Sequence, residues 1–552
     1  MRLSRRVTSP ALAALLGVFL ALPAAAASEQ QSLEELRNTV INLLQVLVDQ
    51  GVMTKEKAQQ LVKQAQDKAA ADLAAHNQEE QGAVRVPYVP EIVKQEISKQ
   101  VAEAVRPQVT SDVLKEAKSE GWGVPGAMPD WLRHVRVAGE ITLRGQADLY
   151  GHGNDLGCPP GTLYGNCTIL DYNAINQAGG FARTGTAAAF LNITQDRDRL
   201  RARVRFGAEV EMSDSWHAGV RLASGTLNDP SSESQNLGND FGRYTVGLDE
   251  FYIRWDARTH TRFPYLTANG GRFLNPFFSP TELVYQRDLA FDGAAATGRF
   301  GFGTGGPESS NIFLTLGGFP VQEVPLAAKN DKWLVGAQLG TALRWGDGQR
   351  FTFGAAYYDF TRVQGERNLD VGSTINNYTA PIFVRHGNSM FDISNSTDPT
   401  VNLFALASRF RIADVAAAYL LPLGRYTLGI NAEGSRNLGF KRAEILARTA
   451  LDIAPRINGY VADFSFGDPT TMSAGQWRAI FGYRYVQRDA VIDALTDADF
   501  HEGGTDAAGY FLIGDLGLAD HVWARLRYLS GKEIDAPLYR VDIVQLDFNV
   551  RF

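Results

Sequence analysis

Apolar and polar residues alternate along most of the chain after residue 135, a period of two that is typical of β-strands. The first such segment places Val137, Ile141 and Leu143 on one face and charged or polar residues on the other. The segment from Arg199 to Met212 repeats this pattern. Strands of roughly ten residues that keep the alternation fit a closed barrel whose outer face meets lipid better than a soluble sandwich.

The pattern predicts an all-β transmembrane barrel of about 16 antiparallel strands. The predicted strand starts are residues 135, 199, 215, 247, 263, 287, 311, 332, 350, 410, 425, 457, 476, 507, 521 and 541. Long links are expected to alternate strictly with short ones, and the long links are 151–198, 226–246, 274–286, 362–409, 438–456 and 490–506. Membrane barrels show this alternation because their loops are long at one end only.

Aromatic residues near strand ends support the same interpretation, because amphipathic rings favour the headgroup level of a membrane. As a set they predict two girdles, although each one alone could be an ordinary packing residue. The residues are Trp216, Trp255, Trp333, Trp345, Trp477, Tyr485 and Tyr528.

The first residues have a different pattern. Arg2 and Arg5 precede an apolar stretch that ends in small residues up to Ala27, which predicts a cleaved secretory signal peptide over 1–27. A retained membrane anchor is the alternative, but the apolar stretch is shorter than the about 20 residues that span a bilayer.

A helical periplasmic region and linker are predicted over 28–130, before a barrel over 131–552. Leu33, Leu36 and Val40 begin a series of apolar residues spaced three and four apart. This spacing favours a coiled coil over 32–75, and a helical hairpin within one chain is the alternative.

The only two cysteines, Cys158 and Cys167, lie close together in a segment rich in Gly, Pro and Asn. In an exported protein this spacing favours a disulfide that closes one exposed loop, with two free thiols as the alternative. The 8 histidines are scattered and are expected on loops or wall positions, so neither a metal nor a cofactor is expected. A net charge of −7 argues against a nucleic-acid partner.

A barrel of this strand number encloses a water-filled lumen unless loops plug it. Inward charges would then decide which solutes or ions pass. The candidate channel-lining residues are Arg136, Glu140, Arg144, Arg201, Arg203, Arg205, Arg221, Arg254, Arg484, Arg525 and Arg527. Further acids on the same faces are Asp148, Glu209, Glu211, Glu250, Asp256, Glu433 and Asp547. Alternatively, these charges only pair across neighbouring strands. Arginines outnumber acids on the assigned strands, which favours anions slightly.

The link 274–286 contains Asn275, Pro276 and Phe277. It could fold into the lumen and narrow it, or lie flat across the mouth. No catalytic constellation is found, since Gly-x-Ser-x-Gly and His-Glu-x-x-His motifs are both absent from the sequence. An enzyme is therefore not expected, and a barrel lipase or protease is the alternative.

Three separated stretches of the sequence resemble the putative porins of proteobacteria that carry a helical segment before the barrel. They are residues 43–52 (LLQVLVDQGV), 270–277 (GGRFLNPF) and 496–500 (TDADF) with 503–506 (GGTD) just after. The resemblance implies an outer-membrane porin for passive diffusion of small hydrophilic solutes and ions, often a homotrimer, without catalytic residues.

The chain also resembles outer-membrane proteins in general because it ends in Phe552. That resemblance implies recognition of the terminal aromatic by the barrel-assembly machinery and contact with outer-membrane lipid. Phosphate-selective porins, a related alternative, place lysines at the constriction, and 274–286 contains none. A structural anchor for the N-terminal helices is a third alternative. A TonB-dependent receptor, with about 22 strands and a plug, would need a longer chain.

Overall fold

The computed structural model describes residues 134–154, 169–184, 189–258, 263–302, 310–325, 330–398, 400–535 and 537–552, together with five single positions nearer the N-terminus. The chain divides into two compact units, Met1–Asp112 and Val113–Phe552. In the first unit the described positions are helical and exposed, and they are Lys57, Gln59, Gln60, Lys63 and Asp67. The predicted signal peptide, most of the predicted coiled coil, and Cys158 and Cys167 lie outside the described residues.

The second unit contains strands β1 to β19 and a few short helices among its described residues. The strands are β1 Val135–Tyr150, β2 Arg197–Glu211, β3 Trp216–Ser224, β4 Gln235–Asn236, β5 Val246–Arg258, β6 Pro264–Leu274, β7 Ala290–Phe302, β8 Ser310–Gln322, β9 Lys332–Arg344, β10 Arg350–Thr361, β11 Met390–Asp392, β12 Phe404–Leu406, β13 Phe410–Leu423, β14 Tyr426–Asn437, β15 Asn458–Gly467, β16 Trp477–Val486, β17 Ala507–Ala519, β18 Val522–Glu533 and β19 Arg540–Arg551. The helices are α1 Tyr172–Ala178, α2 Phe181–Thr184 and α3 Arg442–Thr449, with single 3-10 turns at Asn377–Thr379 and Phe500–Glu502.

All these strands except β4, β11 and β12 form one closed antiparallel barrel of 16 strands. Consecutive wall strands pair with each other, and β1 closes the ring because it pairs with both β2 and β19. Each predicted strand start lies within about three residues of an observed one, because the alternation of lipid-facing and inward residues marks every wall strand in the sequence. Among the described residues, no helix is long and apolar enough to cross a membrane.

The links are longer at one end of the barrel, here named the long-loop end, than at the other, the short-turn end. At the short-turn end, Gly424 and Arg425 alone join β13 to β14, and Gly424 has a φ of 63°, as such tight hairpins require. The predicted strict alternation holds only in part. Two links at the long-loop end, 323–331 and 534–539, are also short.

The two faces of the wall differ as the sequence pattern predicts. Leu143, Leu200 and Leu546 point outward and are 51%, 66% and 57% exposed. Their neighbours Arg144 and Asp547 point inward and are buried. The outer surface of the wall is therefore apolar, and the inner surface carries the charges.

Most of the predicted girdle residues lie at the two ends of the wall, whereas Tyr528 lies near the middle of β18. At the short-turn end, the Trp216 and Trp255 rings have centroids 6.3 Å apart. At the long-loop end, Tyr485 stacks on Tyr460 with a centroid distance of 4.9 Å. This placement agrees with two girdles at the membrane surfaces.

An apolar core lies inside the barrel along β7 to β16, where membrane channels of this size usually have polar residues. Its wall residues pack against apolar residues of the link 275–289. Members of this interior cluster include Phe277, Leu283, Tyr285, Phe291, Phe319, Tyr358, Ile412, Val461 and Val486.

Candidate functional site

The link 275–289, hereafter the first inner link, follows β6 and enters the lumen. Gly271 has a φ of 119°, and a Cβ there would lie 2.3 Å from the Phe251 carbonyl oxygen, so this position requires glycine. The side chain of Asn275 then accepts a hydrogen bond from the Phe277 amide at 3.0 Å, which turns the chain inward. The Phe277 ring packs against Tyr358 of β10 at a centroid distance of 5.1 Å. Gly271, Asn275 and Phe277 of the stretch 270–277 therefore each have a structural role.

Inward side chains of two distant strands hold the first inner link in place. Gln338 of β9 bonds both the amide and the carbonyl of Phe278, at 2.7 and 2.8 Å. Glu433 of β14 accepts hydrogen bonds from the Thr281 hydroxyl and amide at 2.7 and 3.2 Å. Of the two arrangements left open by the sequence, the link therefore folds into the lumen.

Arg484 of β16 lies beneath this link and is only 2% exposed. Its guanidinium donates to the Glu282 carbonyl oxygen at 2.9 Å and to the Thr496 hydroxyl at 2.6 Å. The Thr496 hydroxyl in turn donates to the Leu283 carbonyl oxygen at 2.7 Å. Arg484 thus joins the first inner link to a second inward segment.

This second inner link is the segment 487–506, and it contains the TDADF stretch. The Asp497 carboxylate accepts hydrogen bonds from the amides of Asp499 and Phe500 at 2.8 and 3.1 Å. This turn directs the Asp499 side chain towards the wall formed by β18, β19, β1 and β2.

Asp499 meets three arginines there. Its carboxylate oxygens lie 2.9 Å from Arg144, 2.8 Å from Arg527 and 3.9 Å from Arg201. Gln545 adds a hydrogen bond at 3.1 Å. Burial by itself would raise the pKa of Asp499, but the arginines Arg144, Arg527 and Arg201 hold it well below its usual range. The carboxylate is therefore charged at neutral pH and offsets part of the arginine charge.

Asp288, at the end of the first inner link, also pairs with arginines of the wall, here Arg203 and Arg205 of β2. Its carboxylate lies 2.8 Å from Arg205 and 3.1 Å from Arg203. Burial favours the neutral acid, but Arg205 and Arg203 lower the pKa of Asp288 below its ordinary value. Arg203 also bonds Glu140 at 2.5 Å, and Arg205 bonds Glu233.

The other predicted lining residues pair with acids on the wall. Arg525 forms two bonds with Asp515, at 2.5 and 3.1 Å. Arg221 lies 2.6 Å from Asp249.

Two further predicted lining residues lie nearer the short-turn end. Arg254 approaches Asp256 at 3.3 Å, and Arg136 pairs with Glu211 at 2.9 Å with its side chain 72% exposed. Pairing of neighbouring charges, which the sequence left as an alternative, is therefore widespread. The structure adds ion pairs between the wall and the two inner links.

Space remains between the arginine-bearing wall and the inner links. The side chain of Arg203 is 23% exposed, that of Asp288 is 29% exposed, and that of Arg287 is 69% exposed. A cavity of about 260 Å³ adjoins Arg201 and Asp499 on the side of the long-loop end. Solvent can therefore reach the charged residues.

Sequence reasoning missed Asp288, Asp499, Glu282 and Arg287 as interior charges. Asp499 and Glu282 lie on predicted links, and Arg287 and Asp288 lie at the start of a predicted strand that in the structure begins only at Ala290. A signal existed for Asp499, since it lies in the TDADF stretch that carries the family resemblance. At the end of the chain, the Phe552 amide and carbonyl bond the carbonyl and amide of Gly139 at 3.0 and 2.8 Å, which completes the pairing with β1.

A family model described as putative porin matches residues 37–552. Among solved structures, OprB of Pseudomonas putida is similar at 10% identity, with 76% of this chain and 94% of that chain covered and a TM-score of 0.43. OmpF of Salmonella typhi is similar at 9% identity, with 76% of this chain and 97% of that chain covered and a TM-score of 0.38. The strand pairing, rather than these distant likenesses, establishes the fold. The curated proteins contain no match.

Proposed function

Because this chain belongs to the putative porin family and is an outer-membrane porin channel, we propose that small hydrophilic solutes and ions diffuse passively between its arginine-bearing wall and its two inner links. The observation that carries the proposal is the solvent-accessible row of arginines at Arg201, Arg203 and Arg205, which faces the carboxylates of Asp288 and Asp499. Such opposed charges in a narrow, low-dielectric passage create a transverse field that orients dipolar solutes.

The selectivity that we propose is weak. The arginines on the strands alone favour anions, but Asp288 and Asp499 offset part of that charge. The predicted channel-lining role extends to these two acids, which makes the passage mixed in sign. A passage of this kind favours small polar or dipolar solutes over any one ion type.

We propose that catalysis has no part in this function. Orientation follows from the loops, since long loops of outer-membrane barrels face outward and short turns face the periplasm. Both barrel ends of the chain lie at the short-turn end, so the residues before Val135 would be periplasmic. Assembly as a homotrimer, and recognition of Phe552 by the barrel-assembly machinery, are part of the proposal through the family resemblance.

The test measures reversal potentials of the purified full-length protein in planar bilayers under a salt gradient. Changing Arg201, Arg203 and Arg205 together to Gln removes positive charge, so ion preference should shift towards cations. Asp499→Asn should shift it towards anions, because Arg144 and Arg527 lose a negative partner.

Asp370→Asn, in an exposed part of the link 362–409, is the matched control and should leave the reversal potential unchanged. Unchanged preference in both test variants would place the ion path elsewhere. Absence of any ion current from the wild-type protein would end the channel proposal and favour the structural-anchor alternative.

A further inference from the structure

A second cluster of chemically active side chains lies inside the barrel, apart from the arginine-bearing wall. His386 from the link 362–409, His501 from the second inner link and Glu533 at the end of β18 each direct one potential ligand atom to a common point, with all three atoms within 4.8 Å of one another. His386 Nε2 lies 3.1 Å from His501 Nδ1, which lies 3.8 Å from Glu533 Oε2. His386 and His501 are 6% and 1% exposed.

The orientation of His501 is fixed as it is in metal-binding histidines. Its Nε2 lies 3.3 Å from the Tyr539 carbonyl oxygen, an acceptor that retains the proton on Nε2. Its Nδ1 then presents a lone pair towards His386 and Glu533. Two neighbours hold the His501 side chain in place. The centroid of the Tyr539 ring lies 4.2 Å from that of the imidazole, and Gly531 of β18 packs against the His501 side chain.

The Glu533 carboxylate provides an observation that is independent of the histidine geometry. Glu533 Oε2 is buried and accepts no hydrogen bond from the residues that the structure describes. The same holds for Oδ1 of the neighbouring Asp506. Arg488 bonds the other Asp506 oxygen at 3.2 Å and does not reach Glu533 Oε2. A metal ion at this point would give the buried Glu533 oxygen a partner beside the two imidazoles, and a proton shared with the Asp506 carboxyl group is the competing partner.

We propose that His386, His501 and Glu533 bind one divalent transition-metal ion, with Zn²⁺ as the best match. Imidazole nitrogen and carboxylate oxygen both suit Zn²⁺, and bonds of about 2.0–2.2 Å in a tetrahedral site place ligand atoms roughly 3.4 Å apart. Two of the three separations, 3.1 and 3.8 Å, are close to that value, and the third lies within 4.8 Å. Three protein ligands leave a fourth position for water. His386 also lines the cavity beside Asp499, which gives an ion a route from the lumen.

The bound ion would join two links that are otherwise connected by hydrogen bonds such as that from the Thr505 amide to the His386 carbonyl oxygen, at 3.1 Å. The contact between the links is close, because a Cβ on Gly504 would lie 2.1 Å from that same carbonyl oxygen. The ligand atoms are therefore held near each other before an ion arrives. The competing explanation is a hydrogen-bonded histidine pair that binds no ion.

The test is calorimetric titration of the purified full-length porin in detergent, stripped with chelator, with ZnCl₂ as the probe. One ion should bind per chain. His386→Ala and His501→Ala should each weaken binding by at least about 10–100-fold, the range seen even for changes outside the ligand set. His217→Ala, at another buried histidine beside carboxylates, should leave it unchanged.

Glu533→Gln keeps the shape of the side chain and covers the case in which a histidine variant loosens the links. It too should weaken binding, and unchanged affinity would show that the carboxylate is not a ligand and overturn the three-residue site. The double variant Cys158→Ser, Cys167→Ser should bind as the wild type does. Failure of the wild type to bind Zn²⁺, or loss of binding only in the cysteine variant, would overturn the proposal whether or not the protein conducts ions.

Discussion

The two sides of the barrel interior are built from different residues. Along β18, β19, β1, β2 and β3 the inner surface carries arginines, each paired with acids from the wall or from an inner link. Along β7 to β16 it carries an apolar core that packs against the first inner link. The two are named here the charged side and the apolar side.

The difference shows how a wide barrel becomes a narrow passage. The apolar side anchors the first inner link through buried residues such as Phe277 and Leu283. The link then carries Asp288 to the charged side and supports the second inner link, which carries Asp499. We therefore expect the apolar side to determine stability and the charged side to determine ion selectivity.

The largest expected effect comes from Phe277→Ala on the apolar side. Removing a buried phenylalanine ring lowers the free energy of unfolding by about 3–5 kcal/mol, and the first inner link should loosen. Urea unfolding in lipid vesicles measures the stability, and single-channel conductance should rise. Phe300→Ala is the matched control, because that ring is on the outer face, 73% accessible, where it contacts lipid and lies outside the interior core, so its loss should lower the free energy of unfolding less. If the free energy of unfolding fell equally in the two variants, the division between an apolar side that determines stability and a charged side that determines selectivity would be contradicted.

A smaller effect is expected at Gly271, near the end of the strand that leads into the first inner link. Gly271→Ala forces a side chain into a conformation with φ of 119° and against the Phe251 carbonyl oxygen. The free energy of unfolding should fall by about 1 kcal/mol or more. Gly270→Ala is the adjacent control, since a Cβ there meets no atom within 4 Å. If both variants unfold at the same urea concentration, the conformation at residue 271 does not require glycine.

The smallest expected effect is a pH dependence at His501, measured with chelator present. Burial lowers the pKa of His501 in the folded protein to about 4, below its ordinary value of 6.5. The unfolded chain therefore gains the proton first, and stability that is complete above about pH 6.5 declines as the pH falls towards 4. The expected loss between about pH 7 and pH 6 is about 0.7 kcal/mol.

Urea unfolding at the two pH values should show a smaller loss in His501→Gln than in the wild type. His521→Gln, at an exposed position in a short turn, should behave as the wild type does. An equal loss in His501→Gln and the wild type would mean that another group titrates.

The wall could be predicted strand by strand because each inward residue has an outward neighbour of opposite character, as with Arg144 and Leu143. The positions of Arg201, Arg203 and Arg205 on the inner surface followed from the same rule. Their partners could not be predicted. Asp288 and Asp499 lie on links, where no periodicity indicates a direction, and they meet the arginines only after the chain crosses the lumen. Arg484 lies on a strand, so its inward direction was predictable. Its contact with the first inner link was not, because that contact joins residues far apart in sequence.

The sequence by itself determined the 16 wall strands, their faces and the family of the protein, because lipid on one side and water on the other require an alternation that is local in the chain. The tertiary structure alone decided which charges meet and how far the lumen narrows. Those features depend on contacts between residues far apart in sequence, such as Arg144 with Asp499 and His386 with His501. A local pattern contains no information about such distances.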